Sequence, residues 1–296
     1  MSAETCSMLK NNIHKKHAKI PRFGSKSRDL INNRIDAAFS KKCGVYKKNL
    51  IIYITAGYPD LKTTEKLILE IDRAGADIIE LGIPFSDPVA DGPVIQESSQ
   101  AALKHKVDLG TIFKLAAKVR RKITSAVVFM GYYNPILQYG PEKFLKSCKK
   151  CGVDGIIVPD LIPEESTELL KLAAKNGVKL IFLLAPTSDK QRIKLVAGKS
   201  TGFIYCVSVT GITGARKKLP DLKKYISNIR KYTEKPVALG FGVSSAGMVK
   251  EMLKNADGVI VGSAVIKKIA ENLGRKDLPC KVAKFVAGLK KGMPNV

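Results

Sequence analysis

Eight short runs of Ile, Val and Leu, each followed by an amphipathic stretch, constrain this chain more than any other feature. The runs are Leu50–Thr55, Asp77–Leu81, Ala126–Met130, Gly155–Val158, Leu180–Leu184, Phe203–Cys206, Val237–Gly240 and Gly258–Val261. Each is nearly continuous in apolar residues and bounded by Gly, Pro or Asp, the pattern of parallel strands buried on both faces. Helical patterns fill the gaps at Thr63–Ala74, Ile112–Arg121, Pro141–Lys150, Glu164–Asn176, Lys190–Lys199, Leu222–Tyr232, Ser245–Leu253 and Ser263–Asn272. Ala74-Gly75-Ala76-Asp77, Cys151-Gly152-Val153-Asp154 and Asn255-Ala256-Asp257-Gly258 each close a helix and launch a strand. Gly75 and Gly152 suit a left-handed helix stop.

A doubly wound sheet normally holds about five to seven strands, so eight βα units predict a closed α/β fold, a single (β/α)8 TIM barrel with an N-terminal helical extension. Such a barrel needs about 250 residues, and the chain has 296. Residues 1–27, rich in Lys and Arg with Glu4 as the one acid, read as a flexible basic N-terminal extension. They could equally be the remnant of an organellar transit peptide. Residues 28–296 form the barrel domain, opening with an amphipathic helix at Arg28–Ser40 that gathers Leu30, Ile31, Ile35, Ala38 and Phe39 on one side.

The charge balance is unusual: 51 Lys+Arg against 26 Asp+Glu gives +25. Nucleic-acid binding would exploit such a surface. The lysines, however, are spread over nearly every helical pattern, Trp is absent, and no nucleic-acid module signature occurs. A solvated basic surface that draws in small anions is the better reading, with no nucleic-acid partner. With no apolar run of about 18 residues, no membrane span is expected. The six cysteines form no disulfide framework, which fits reduced thiols in the cytoplasm, or in a plastid stroma if residues 1–27 are a transit remnant. Cys148 and Cys151 have the spacing of a metal or redox pair but lack a second pair, so no metal site is expected.

In a barrel of this kind, chemistry belongs to the C-terminal ends of the strands and the loops that follow. Strand seven ends in Gly240-Phe241-Gly242 and strand eight in Gly262-Ser263 at a helix start. Glycine lets backbone N–H groups approach an anion, and the helix end adds a positive pole, so a phosphate site is expected there. The three histidines lie away from the strand ends, which leaves carboxylates and Tyr as acid–base groups. Glu80 lies within the apolar strand Ile78–Leu81, where burial should raise its pKa toward neutrality. Asp91 follows in the proline-punctuated loop Pro84–Pro93. Val209–Arg216, with two glycines, suits a lid, and Tyr205 brings a phenol to the barrel mouth. An ion-pair role for Glu80, a turn role for Asp91 and a core role for Tyr205 remain open at this level.

Taken together, Ile79-Glu80-Leu81-Gly82-Ile83-Pro84-Phe85-Ser86-Asp87-Pro88-Val89-Ala90-Asp91-Gly92-Pro93 closely resembles the signature of tryptophan synthase α subunits, the indole-3-glycerol-phosphate lyases. Tyr132-Tyr133-Asn134-Pro135-Ile136, Gly155–Asp160, Gly211-Ile212-Thr213-Gly214 and Gly240-Phe241-Gly242 are similar to further family motifs, and the resemblance runs from about Arg28 to Leu273. It implies cleavage of indole-3-glycerol phosphate to indole and glyceraldehyde 3-phosphate in tryptophan biosynthesis. On matching positions it implies Glu80 as the principal acid–base group, Asp91 on the indole nitrogen and Tyr205 supporting Glu80. Tyr132 would bind substrate, Thr213 would close with the lid and help order Asp91, and Gly214, Gly242, Gly262 and Ser263 would hold the phosphate. The resemblance also implies a tryptophan synthase β subunit as partner in an α2β2 assembly, faced by Asp87, Asn134 and Asp160. Pyridoxal phosphate would belong to that partner, with no cofactor in this chain. Many bacterial members carry Arg two residues before the first lid glycine; Val209 stands there in this chain. A stand-alone indole-releasing lyase and another phosphate-binding barrel isomerase are the alternatives.

Overall fold

The computed structural model describes residues 33–207, 221–240 and 242–294. It begins with a short helix, α1 (Arg34–Ala38), and a hairpin of β1 (Lys41–Lys42) and β2 (Val45–Tyr46). The barrel strands follow: β3 (Asn49–Thr55), β4 (Ile78–Gly82), β5 (Ala126–Met130), β6 (Gly155–Ile157), β7 (Lys179–Ile181), β8 (Leu183–Leu184), β9 (Ile204–Val207), β10 (Val237–Gly240) and β11 (Gly258–Val261). All their pairings are parallel, in the order β7-β6-β5-β4-β3-β11-β10-β9-β8. The fifth expected strand is therefore split at Phe182. Its first half pairs with β6 and its second with β9, so the ring of strands closes through one interrupted strand. At the break, the Phe182 amide donates to Ser200 Oγ at 3.1 Å and its carbonyl accepts from the Tyr205 amide at 3.1 Å, leaving neither group unpaired.

Alternation along each strand separates two cores. Leu50, Ile52 and Ile54 of β3 join Ile79 and Leu81 of β4 in the layer between strands and helices. Ile51, Ile78, Val128, Ile157, Ile181, Ala238 and Ile260 point into the barrel, where Ile35 and Phe39 from the α1 segment pack against them. This apolar plug fills the lower interior. The next inward positions up the strands are Tyr53 and Glu80, register partners on adjacent strands, so Glu80 stands directly above this apolar plug.

The three Asp-ended junctions noted in the sequence share one mechanism. Asp77 Oδ2 accepts from the Leu50 amide at 2.9 Å, Asp154 Oδ2 from the Val127 amide at 2.8 Å, and Asp257 Oδ2 from the Val237 amide at 2.9 Å. In each case the acid that opens one strand satisfies the first free N–H of its neighbour. Each carboxylate is also paired with cations: Asp77 with Lys47 and Lys290, Asp154 with Arg34 and Arg120, Asp257 with Lys48 and Arg230. These caps rim the end of the barrel opposite the chemistry.

The eight expected helices are present as α2 (Leu61–Arg73), α4 (Leu109–Arg120), α6 (Pro141–Cys151), α7 (Thr167–Asn176), α8 (Lys190–Lys199), α9 (Leu222–Arg230), α10 (Ala246–Leu253) and α11 (Ser263–Ala270). Three more were not expected: α3 (Pro93–Leu103), α5 (Tyr133–Tyr139) and α12 (Leu278–Lys290). Helix α3 escaped notice because its buried face is Ser98, Ser99 and Ala102, small residues that leave no apolar periodicity. The expected helix at 28–40 is described only as α1, and residues 28–32 lie outside the described residues. Cys148 and Cys151 lie buried on α6, where Cys151 Sγ donates to the Cys148 carbonyl at 3.3 Å. Burial raises both thiols, with Cys151 pushed up to about 11, so the pair serves packing. Among the described residues no helix is long and apolar enough to cross a membrane.

Candidate active site

A cavity of about 320 Å³ opens at the C-terminal ends of the strands, within the usual range for small-molecule sites. Glu80, Asp91, Tyr205, Gly242, Gly262 and Ser263 all line it, joined by Tyr53, Gly240 and apolar walls from Ile95, Met130, Leu183 and Ile260. The described lining carries two carboxyls and no Lys, Arg or His.

Glu80 is fully buried on β4, and among the described residues neither of its oxygens has a hydrogen-bond partner. A carboxylate held that way is disfavoured. Burial, reinforced by the nearby charge of Asp91, pushes the Glu80 pKa up to about 8. It therefore carries its proton at neutral pH.

Asp91 sits at the end of the loop after β4, one residue before Gly92 caps helix α3 and Pro93 opens it. Its carbonyl accepts from Gln96 Nε2 at 2.9 Å and its amide donates to the Pro88 carbonyl at 3.0 Å. Burial pushes its pKa up to about 6, opposed by a hydrogen bond from Tyr132. At neutral pH Asp91 is an anion beside a protonated Glu80. Tyr132 itself does not line the cavity. It is 4% exposed, stacks on Phe85 with ring centroids 5.2 Å apart, and acts on the site through Asp91.

Two phenols face the acids, and two glycines make room for them. A Cβ on Gly240 would fall 2.8 Å from Tyr205 Cε1 and 3.0 Å from its hydroxyl. A Cβ on Gly82 would collide outright with the hydroxyl of Tyr53. Gly240 thus has a packing task besides any contact with an anion. Burial and the neighbouring carboxylates raise both phenols far above the ordinary tyrosine range, so both stay protonated. Tyr53 is the site residue that sequence reasoning missed. Its one signal was a phenol within the apolar strand β3, at the phase it shares with the inward Ile51.

At the rim, Gly242 adopts φ +54° with open space where a side chain would project, and Gly262 caps helix α11, whose first residue is Ser263. Thr213, Gly214 and the rest of Val209–Arg216 lie outside the described residues, as does Phe241. Asp87, Asn134 and Asp160 are exposed and do not line the cavity. Asp160 accepts from the Tyr133 amide at 2.9 and 3.1 Å, capping the start of α5.

A closed parallel barrel whose mouth holds a protonated and an ionised carboxyl, across from a helix N-terminus, defines an acid–base enzyme of the (β/α)8 class. Residues 39–293 match the family model described as tryptophan synthase alpha chain. The chain belongs to that family. It is 48% identical over 259 residues to the tryptophan synthase alpha chain of Thermoanaerobacter sp. (strain X514), covering 87% of this chain and 98% of the relative. The alpha chain of Geotalea daltonii is 46% identical over 88% of this chain and 98% of its own. The crystal structure of the alpha chain from Legionella pneumophila subsp. pneumophila superposes with a TM-score of 0.81 at 34% identity, over 89% of this chain and 98% of that one. Tryptophan synthase from M. tuberculosis in an aminoacrylate-bound form gives 0.78 at 30% identity, over 88% of this chain and 100% of that chain.

Proposed function

We propose that Glu80 and Asp91 carry the lyase reaction of this family, the retro-aldol cleavage of indole-3-glycerol phosphate to indole and glyceraldehyde 3-phosphate. One observation carries the assignment: a buried carboxyl with no hydrogen-bond partner among the described residues, raised to about 8, beside a second held near 6. The carbon–carbon bond at indole C3 breaks poorly because it would leave a carbanion. Protonated Glu80 delivers its proton to C3, and the ring becomes an indolenine cation whose nitrogen can take up the bonding electrons. The Asp91 anion holds the ring N–H and stabilises that charge. Glu80, now a carboxylate, removes the proton from the hydroxyl on the carbon attached to C3. The C–C bond cleaves, the carbinol becomes an aldehyde, and Glu80 regains its proton. Tyr205 borders Glu80 and restricts its orientation.

The substrate phosphate binds at Gly242, Gly262 and Ser263, joined by Gly214, where backbone amides and the α11 dipole favour an anion. Remote anchoring turns binding energy into orientation at C3. Tyr132 contributes by ordering Asp91. The reaction runs in the cytoplasm.

A β subunit binds the rim formed by the loops after β4, β5 and β6, three neighbouring strands. Asp87, Asn134 and Asp160 there lie within three residues of exposed Val89 (83%), Leu137 (52%) and Ile162 (45%). Exposed apolar groups rimmed by polar ones suit a protein interface. The partner, not this chain, carries pyridoxal phosphate and joins indole to serine.

The test is indole release from indole-3-glycerol phosphate by the purified chain, with and without a β subunit. Glu80→Gln should abolish release while leaving substrate binding intact. Normal cleavage by that variant would overturn the assignment.

A further inference from the structure

Tyr53 is an ionisable group on the cavity wall that the chemistry above leaves without a task. Its hydroxyl belongs to a chain of three oxygens whose polarity is set at the far end. Ser98 Oγ donates to the Ile95 carbonyl at 2.8 Å, and a carbonyl can only accept. With its proton committed, Ser98 Oγ accepts from Thr55 Oγ1 at 2.6 Å. Thr55, its own proton spent, must in turn accept from the Tyr53 hydroxyl, 3.3 Å away. The phenol proton is thus directed out of the barrel toward α3, the helix that follows Asp91.

We propose that Tyr53 is a positioning residue that holds Glu80 in its acid form: the locked hydroxyl turns its proton away and shows only lone pairs to the cavity. The placement supports this. Tyr53 and Glu80 are register partners on β3 and β4, and the phenol fills the space left by Gly82, one inward position above Glu80. The other groups facing Glu80 are Asp91 from the loop after β4 and Tyr205 from β9, and no cation stands in the described lining. An oriented dipole with its negative end toward a carboxyl disfavours the anion and needs no direct hydrogen bond. Had the phenol proton pointed inward, it would have stabilised the carboxylate and drained the acid that cleavage consumes.

This inference rests on Glu80 acting as the acid, and the experiment separates the two claims. The Glu80 carboxyl of the full chain is titrated by infrared difference spectroscopy, its band identified by loss in Glu80→Gln. Cleavage of indole-3-glycerol phosphate is followed over the same pH range. Thr55→Val keeps the side-chain shape but removes the acceptor, freeing the phenol proton to turn inward. Its Glu80 midpoint should fall by about one pH unit, a tenfold change in the acid-to-anion ratio, and the alkaline limb of cleavage should follow. Thr55→Ser, which restores the hydroxyl, should keep the wild-type midpoint. Adding Tyr53→Phe to Thr55→Val should recover part of the fall, because no phenol proton remains to turn inward, while the lone pairs of the locked hydroxyl are lost with it. An unmoved midpoint in Thr55→Val, or an equal fall in the double variant, overturns the inference even if the wild-type chain cleaves normally. A wild-type chain that releases no indole while the midpoints move as stated overturns the reaction and upholds the role of Tyr53.

Discussion

The hydroxyl of Tyr132 donates to Asp91 Oδ2 at 3.1 Å while accepting from the Ala90 amide at 3.0 Å, so one phenol fixes both the backbone and the charge of the Asp91 loop. That hydrogen bond lowers the Asp91 pKa against the upward pull of burial. Removing it in Tyr132→Phe leaves burial unopposed and raises the pKa. The acidic limb of the kcat/KM profile should move to higher pH, so activity falls about tenfold near pH 6 and much less near pH 8. A profile merely scaled down at every pH would deny Tyr132 this role.

The wild-type profile itself should be bell-shaped. Asp91 must be ionised and Glu80 protonated, so activity rises through about 6 and falls through about 8. The two acids interact, and the limbs therefore report the pair rather than either residue alone. A pH series of indole release under subsaturating substrate checks this.

Glu80→Gln should cost at least about a thousandfold in kcat, yet stabilise the fold at alkaline pH. The sign follows from the raised carboxyl. In the unfolded chain Glu80 ionises near 4.5, whereas in the fold it keeps its proton until about 8. Wild-type stability therefore declines as pH rises between those values, and Gln does not titrate. Denaturant melts should show the variant more stable at pH 8.5 by on the order of a few kcal/mol, with the gain vanishing at pH 4.

Gly240→Ala should displace Tyr205, because the new Cβ would lie 2.8 Å from its ring. Cleavage should drop about tenfold or more while far-ultraviolet circular dichroism stays unchanged. Should the phosphate turn alone depend on Gly240, KM would rise with kcat intact.

Asp154→Ala, at the opposite end of the barrel, should leave the chemistry alone and weaken the fold. It removes the acceptor for the Val127 amide and the ion-pair partner of Arg120, whose 9% exposed side chain keeps only its hydrogen bonds to the Ser125 and Ile123 carbonyls. Urea unfolding should record a loss of about 3 kcal/mol, with kcat unchanged for the protein still folded.

The barrel was legible because strand and helix periodicities alternate over most of the chain, and periodicity is local. Three helices were not. Helix α3 buries Ser98 and Ser99, which look like loop residues until Thr55 and Phe85 are seen hydrogen-bonded to them. The split at Phe182 was equally hidden, since only closure of the ring decides which neighbour each half of that strand meets.

Within the site, the sequence by itself determined the two acids and the rim glycines, because an acid inside an apolar strand and a Gly at a strand end are unusual wherever they occur. Tertiary structure alone decided how those groups behave. It set Glu80 over an apolar floor, brought Tyr132 across 41 residues to Asp91, and filled the gaps at Gly82 and Gly240 with Tyr53 and Tyr205. Burial, hydrogen-bond polarity and charge proximity are properties of distances between strands, and those distances exist only once the cylinder has closed.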